Sequence, residues 1–368
     1  MASGNLPEDV VREILLMLLV KSLLRCKSVC KRWYTLITKP SFTTAHHNCN
    51  AAIKRNHCIL IKRFLKESNK SALSFLSDEI SCDDHVPTTE ITIPHSNHFL
   101  QMLGPCNGIV CLTDHRDIIL CNPSIRAFKV VPAPSFNYPQ GLFSRSLGVG
   151  FGFDLQSSEY KVIRIAELHE DDESGGYSFH SVKVEIYDLS TDSWREIDAV
   201  VPYVWYFPCS ELLFNGAFHW WADDEDHGGE SMLSFHINTE VFQQIRLPDV
   251  CTFPDGKEKP FLVLNESIAL ILFDASEQTS FDIWLMTEYG VAESSTKLFT
   301  IGPLVQVKRP ILFWKHELLL EKANGQWVSC DLKSRRLKEI QVYGAQESFR
   351  AVAYIKSLVS INQGSDID

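Results

Sequence analysis

Tyr187-Asp188-Leu189-Ser190-Thr191-Asp192-Ser193-Trp194 superimposes without gaps on three other octapeptides of the same chain. These are Cys121-Asn122-Pro123-Ser124-Ile125-Arg126-Ala127-Phe128, Phe235-His236-Ile237-Asn238-Thr239-Glu240-Val241-Phe242 and Cys330-Asp331-Leu332-Lys333-Ser334-Arg335-Arg336-Leu337. In each, an apolar run ends, a polar turn follows, and a large apolar residue returns at the last position, with Val131, Ile197, Ile245 or Ile340 three further on. That spacing describes a hairpin whose return strand packs its bulky residue inward. The intervals between copies are 66, 48 and 95 residues. The last is about two periods, and a degenerate copy, Asp282-Ile283-Trp284-Leu285-Met286 leading to Thr296-Lys297-Leu298, fits in its middle.

A second turn precedes several copies: Cys106-Asn107-Gly108-Ile109, Phe214-Asn215-Gly216-Ala217 and Leu264-Asn265-Glu266-Ser267 each stand between apolar runs. Two hairpins per period of roughly 48 residues give four strands, the blade of a β-propeller. Residues 58–360 hold about six such units. A β-sandwich with Greek-key connections would also show alternating strands but gives no reason for a fixed period. Ring closure is expected to set Val352-Ala353-Tyr354-Ile355 beside an early strand such as Ile59-Leu60-Ile61.

Within this body, Gly148, Gly150 and Gly152 have the wrong spacing for a dinucleotide loop and read as a strand closely approached by other chain. There is no P-loop, HExxH or GxSxG. His46, His47, Cys49, His57 and Cys58 have metal-ligand chemistry but fit no structural zinc spacing, so they read as a linker; no metal or cofactor is expected. Two acidic runs, Glu170-Asp171-Asp172-Glu173 and Asp223-Asp224-Glu225-Asp226, each follow a strand and precede glycine, which makes them exposed loops. Four adjacent solvated acids do not separate their pKa values as catalytic carboxylates must. If the runs dock a partner, that partner is basic.

The first forty residues are different. Leu6-Pro7-Glu8-Asp9 after Asn5 reads as a helix entry, with proline in the first turn and two acids where the helix dipole favours them. Val10, Ile14, Leu15 and Leu18 form one helical stripe; Lys21-Ser22 marks a break; Leu23, Leu24, Val29, Cys30, Trp33, Leu36 and Ile37 form a second series, which Pro40 ends. So short a segment cannot enclose that much apolar surface, and either the following domain or another polypeptide covers it.

The whole chain of 368 residues carries a net charge of −11, 45% hydrophobic and 22% charged residues, which excludes a mainly disordered chain. Residues 1–50 contain seven Lys/Arg against three Asp/Glu, which leaves −15 on the rest. That body is the wrong sign for nucleic acid and the right one for a basic protein. No apolar run approaches the roughly 18 residues of a membrane span. Eleven scattered cysteines without CxxC read as reduced thiols, and the N-terminus lacks a secretory pattern, so a cytoplasmic protein, with the nucleus also open to it, is expected.

Leu6-Pro7-Glu8-Asp9-Val10-Val11-Arg12-Glu13-Ile14-Leu15, Lys21-Ser22-Leu23-Leu24-Arg25-Cys26-Lys27-Ser28-Val29-Cys30-Lys31-Arg32-Trp33 and Leu36-Ile37 resemble the F-box of plant F-box proteins. The resemblance implies a three-helix module, residues 5–45, that binds a Skp-type adaptor and through it the cullin of an SCF ubiquitin ligase. On matching positions, Leu6, Pro7, Ile14, Leu18, Leu23, Val29, Cys30, Trp33 and Leu36 would form or support the adaptor face, and Trp33→Ala with Leu23→Asp would release the adaptor with the propeller intact. Leu19 stands where the family has proline, Met17 where it has a basic residue and Cys26 where it has Phe. Gly148-Val149-Gly150-Phe151-Gly152-Phe153-Asp154, Glu159-Tyr160-Lys161-Val162, the Asp188–Arg195 stretch and Arg309-Pro310-Ile311-Leu312-Phe313-Trp314-Lys315 are similar to the F-box-associated, kelch-like domain of plants, above all to the S-locus F-box proteins of pollen. Ser295 replaces a Trp usual before the return strand of the fifth unit.

The resulting expectation is an α+β multidomain chain: F-box 5–45, linker 46–57, kelch-like propeller 58–360 and a flexible tail 361–368. The implied function is a non-catalytic substrate receptor in self-incompatibility, with a basic S-ribonuclease as target met through the acidic runs. A general F-box/kelch receptor in defence or hormone signalling is the alternative within the class, and a propeller enzyme or sugar-binding module working through its channel the alternative outside it.

Overall fold

The computed structural model describes residues 6–53, 57–77, 90–94, 100–114, 116–134, 141–171, 177–204, 211–224, 228–248, 260–273 and 278–361. Four helices come first: α1 (Glu8–Leu16), α2 (Val20–Cys26), α3 (Lys31–Thr38) and α4 (Pro40–Ala52). The α1/α2 break falls at Met17–Leu19, ahead of the expected Lys21-Ser22. Leu19 has φ −67° and ψ 149°, a backbone that proline itself would adopt, so α1 is not prolonged. Asn5 lies outside the described residues, and Pro7 holds the cap position.

Three boundary expectations are corrected. Pro40 does not end the helices; it starts α4, because a proline at the first helical position loses no hydrogen bond. Lys39, extended before it, is the whole connection to α3. The linker expected from residue 46 is therefore helix to Ala52, and the first strand begins at His57. The tail expected from 361 starts one residue later at the earliest, since Ile361 is buried in the largest core cluster.

The remainder is a propeller of six four-stranded antiparallel sheets. Blade 1 pairs β24 (Arg350–Ile355), β1 (His57–Leu65), β2 (Lys70–Ser77) and β3 (Glu90–Thr92). Blade 2 is β4 (Gln101–Cys106), β5 (Ile109–Thr113), β6 (Ile118–Asn122) and β7 (Ala127–Val130); blade 3 is β8 (Leu142–Asp154), β9 (Glu159–Asp171), β10 (Tyr177–Asp188) and β11 (Ser193–Ile197). Blade 4 is β12 (Leu212–Phe214), β13 (Ala217–Asp223), β14 (Glu230–His236) and β15 (Val241–Arg246). Blade 5 is β16 (Phe261–Leu264), β17 (Ser267–Phe273), β18 (Gln278–Met286) and β19 (Ser295–Val305), and blade 6 is β20 (Val307–Trp314), β21 (Glu317–Lys322), β22 (Trp327–Asp331) and β23 (Leu337–Ile340).

Closure follows the expected register: Leu60 pairs with Val352, Ile59 with Ala353 and Cys58 with Tyr354. The Tyr354 hydroxyl then donates to the Gly108 carbonyl (2.7 Å), and Asn122 donates to the Val359 carbonyl (2.8 Å), locking blade 1 to blade 2. The four octapeptides are the turns between the third and fourth strands of blades 2, 3, 4 and 6. Their sixth residues, Arg126, Asp192, Glu240 and Arg335, all have φ near +55°. The inward anchors are Val131, Ile245 and Ile340, each at least 95% buried; the eighth residue is a weaker one, and Leu337 is exposed. The Asn107-Gly108 and Asn215-Gly216 turns have two positive φ values each, as a tight hairpin requires.

The glycine strand packs as expected. A Cβ on Gly148 would stand 2.9 Å from the Trp220 indole nitrogen, one on Gly150 2.6 Å from the Phe218 ring, and one on Gly152 2.3 Å from Ile237. Blades 3 and 4 meet there with backbone against ring.

Blade 4 is also tied to blade 5. His219 is fully buried, with Nδ1 donating to the Leu212 carbonyl (3.2 Å) and Nε2 accepting from the Tyr289 hydroxyl (2.8 Å). Burial pushes its pKa down to about 4 from the ordinary 6.5. The folded state therefore refuses a proton that the unfolded chain accepts, and stability present above pH 6.5 is lost as pH falls toward 4, by up to about 3 kcal/mol. Glu211, pushed up to about 7, acts in the opposite sense across most of this window. The expected result is that His219→Gln loses less stability than the wild type between pH 6.5 and 4.5, measured by denaturant unfolding at each pH.

Candidate functional site

The helices have two unlike sides. Leu15, Leu16, Val20, Leu23, Leu36, Ile37 and Phe42 form a core with Leu358, against which Ile125 and Trp33 also pack. Since Ile125 lies in a blade 2 turn and Leu358 just after β24, this side is sealed by the propeller. His46 joins the seal: its Nε2 donates to the Leu18 carbonyl (2.9 Å), it stacks on Phe42, and burial lowers its pKa. On the other side Leu6, Val10, Ile14, Met17, Leu19, Leu24, Val29 and Tyr34 are exposed, Val29 at 63%. Eight large apolar side chains on a module of four short helices are far more than scattered surface residues account for.

The nine residues assigned to the adaptor face divide accordingly. Leu6, Pro7, Ile14, Val29 and Cys30 are exposed. Leu23, at 0% exposure, and Leu36 lie inside, and Leu18 and Trp33 are half-buried against that core. For Trp33→Ala with Leu23→Asp the burial of Leu23 changes the route to adaptor loss: a carboxylate there would unfold the helices themselves, because a buried unpaired charge costs more than so small a module can bear. Sequence matching did not assign Met17, Leu19, Leu24 and Tyr34 to this face, although all four are exposed; an apolar residue within or beside a short helix was the available signal.

The propeller's two faces are also unlike. The turns carrying Ile125 face the helices. Strand alternation then puts the loops between second and third strands, among them both acidic runs, on the far face. There, Glu170 and Asp171 are strand residues, paired with Ser178 and Tyr177. Asp223 closes β13 opposite Glu230, and Asp224 is 8% exposed, bonded through its backbone to Gly228 and Gly229. The reading of these four as a solvated loop is thus corrected for Asp223 and Asp224, which a tight hairpin holds against the blade. Asp172, Glu173, Glu225 and Asp226 lie outside the described residues.

The central channel opens on the same far face as a cavity of about 230 Å3, lined by the starts of the inner strands. Its wall is mostly apolar. Arg309 is ion-paired to Glu321 (2.6 Å) and donates to the Phe349 carbonyl, tying blade 6 to blade 1. Glu211, held protonated toward neutrality by burial and opposed by Arg350, is the one carboxyl among the described lining residues. Glycoside hydrolysis needs two carboxyl groups across the scissile bond, and the described lining residues supply one. No group of three or more His, Cys, Asp or Glu able to hold a metal occurs among the described residues. No helix of the described residues is long and apolar enough to cross a membrane.

A helical module with one open apolar side, mounted on a six-bladed ring, is the architecture of an F-box receptor. Residues 4–44 match the F-box domain and residues 64–361 the F-box associated beta propeller domain, so the chain belongs to the plant F-box proteins with that propeller. It is 27% identical to F-box protein CPR1 of Arabidopsis thaliana over 97% of this chain and 89% of that protein. It is 25% identical to F-box protein At3g07870 (96% and 91%) and 25% to F-box/kelch-repeat protein At3g23880 (83% and 82%) of the same plant. Among solved structures, apo AztD from Citrobacter koseri aligns at a TM-score of 0.41 and 10% identity, over 82% of this chain and 99% of that one, too distant to bear on function.

Proposed function

We propose that the chain is a non-catalytic substrate-recognition subunit of a cytoplasmic SCF ubiquitin ligase. The open side of α1–α3 takes a Skp-type adaptor, which joins the chain to cullin, and the far face of the propeller holds a protein target. The observation that carries this reading is the division of the helices: one side is sealed by Leu358 and Ile125, and the other is left apolar and open. Because the two faces are opposed, adaptor and target do not compete for the same surface. The chain's contribution is effective concentration and orientation, which raise the rate of ubiquitin transfer without any acid, base or nucleophile here.

For the target we propose a basic S-ribonuclease in pollen self-incompatibility. Two things support it: the similarity of the propeller motifs to S-locus F-box proteins, and the −15 charge of the chain beyond residue 50. In a ligase reconstituted from this chain, adaptor, cullin and conjugating enzyme, an S-ribonuclease is expected to acquire ubiquitin. If the assembled ligase is active but leaves every S-ribonuclease unmodified, the target assignment falls and the receptor role stands. The second reading is a general plant F-box/kelch receptor in defence or hormone signalling; the similarity to Arabidopsis F-box proteins over nearly the whole chain supports its being a general F-box protein.

A further inference from the structure

The mouth of the central channel is chemically uneven. Five of the six blades supply its wall, each through its innermost strand or the residues just before it, among them Pro105, Leu213, Val263, Ile311 and Ala353. Val263 is 38% exposed although it stands on an inner strand, so the axis is open there. The cavity, about 230 Å3, is larger than the roughly 150 Å3 of an apolar cavity that accepts benzene. Water alone gains little from such a wall.

The charged groups of the wall are unequally satisfied. Arg309, on the blade 6 side, is balanced by Glu321. Arg350, on the blade 1 side, donates through Nη1 to the carbonyls of Phe349 (2.7 Å) and Glu347 (3.4 Å), neutral atoms that leave its charge uncompensated. Its Nε is buried with no hydrogen-bond partner, and folded proteins leave few buried donors unmet. Lys62, the register partner of Arg350 on β1, lies on the same side of the sheet and donates to the Ser348 carbonyl (3.1 Å), so a second cation adjoins the first. Blades 1 and 4 stand opposite each other in a ring of six, and Glu211 enters the wall from blade 4. Burial raises its pKa to about 7 although Arg350 pulls the other way, so up to neutrality the wall is net positive in an otherwise acidic chain.

An apolar wall with one uncompensated guanidinium fits a molecule that is mostly hydrocarbon and carries a single negative charge, since a guanidinium holds a carboxylate through its planar fork of N–H donors. We propose that the channel mouth binds a compact monocarboxylic acid, one ring bearing a carboxylate, with the carboxylate on Arg350 and the ring against the apolar wall. A cationic ligand would leave Arg350 unmet, and an inorganic anion would leave the apolar wall unfilled. The site goes beyond the receptor reading and does not depend on it.

Binding is measured by titration calorimetry on the full-length chain with benzoate and cyclohexanecarboxylate, and with benzamide, benzylamine and inorganic phosphate for comparison. The two acids are expected to bind with dissociation constants between high micromolar and low millimolar, as ligands of so few atoms allow, and the other three about tenfold more weakly or less. Arg350→Gln should weaken both acids about tenfold, with Arg350→Lys between it and the wild type. Glu211→Gln gives a second reading. From pH 6 to 8 Arg309 and Arg350 keep their charge, and His219, bonded to the Leu212 carbonyl beside Glu211, stays neutral, so Glu211 is the group of this wall that changes. The wild type should therefore hold benzoate several-fold more weakly at pH 8 than at pH 6, and Glu211→Gln equally at both. This comparison leaves Arg350 in place, so it decides the matter even where substitution of Arg350 disturbs the fold. Adaptor co-purification is expected to be unchanged in the Glu211 variant, which separates failure here from failure of the receptor role. Neither acid bound, either acid bound no better than benzamide or benzylamine, or a benzoate affinity that Arg350→Gln leaves unmoved, would overturn the proposal.

Discussion

Ile14→Asp combined with Val29→Asp is expected to abolish co-purification of the chain with a Skp-type adaptor while leaving the unfolding of the propeller unchanged. Both residues lie on the open side of the helices, at 50% and 63% exposure, and touch nothing that the folded chain needs. Losing two buried apolar contacts at about 2 kcal/mol each lowers affinity roughly a thousandfold, and desolvating two carboxylates in their place adds to it. Leu23→Asp supplies the contrast. It too is expected to lose the adaptor, but by unfolding the helices, seen as lost helical circular dichroism. An adaptor retained by the Ile14/Val29 variant would refute the assignment of the open side.

Gly150→Val is expected to destabilise the ring by about 3 kcal/mol. The new Cβ would lie 2.6 Å from two carbons of Phe218 and 2.8 Å from the Ile163 methyl, and Phe218 is 2% exposed with nowhere to turn. Overpacking of this kind costs about 1–3 kcal/mol even where neighbours can shift. In a domain of this size the melting temperature should fall by roughly 6–12 °C. Gly150→Ala should lose less, and Gly150→Ala with Phe218→Leu should recover part of that loss, since space is then returned to the same seam. A valine that leaves the melting point unmoved would show that blades 3 and 4 can separate without cost.

Much of the ring was legible because its geometry repeats. The octapeptides and the Asn-Gly turns mark hairpin after hairpin, and the glycine strand announces close approach. What stayed hidden is informative. The left-handed residue of each octapeptide is Arg, Asp, Glu or Arg, never glycine, so composition could not reveal the shared backbone. Helix α4 escaped notice because its buried residues are Phe42, Thr43, His46 and Asn50, three of them polar, which erases the apolar period after Pro40. Which side of α1–α3 is sealed depends on Leu358, more than three hundred residues away, and no local pattern carries that information. The acidic stretch at Asp223-Asp224 shows the same limit, since a tight backbone hairpin determines its burial and its charge does not.

The pairing of Cys58 with Tyr354 also sets an order of events during synthesis. The first blade is made with its innermost place empty, and only β24, which follows the other five blades in the chain, can fill it. Until Leu358 arrives, the inner side of the helices is as bare as the outer one, so the nascent chain offers two greasy surfaces where the finished protein offers one. Translation that stops short of residue 350 should therefore yield an open ring prone to aggregate, and an adaptor or chaperone present early enough would find the helices before the ring has sealed beneath them.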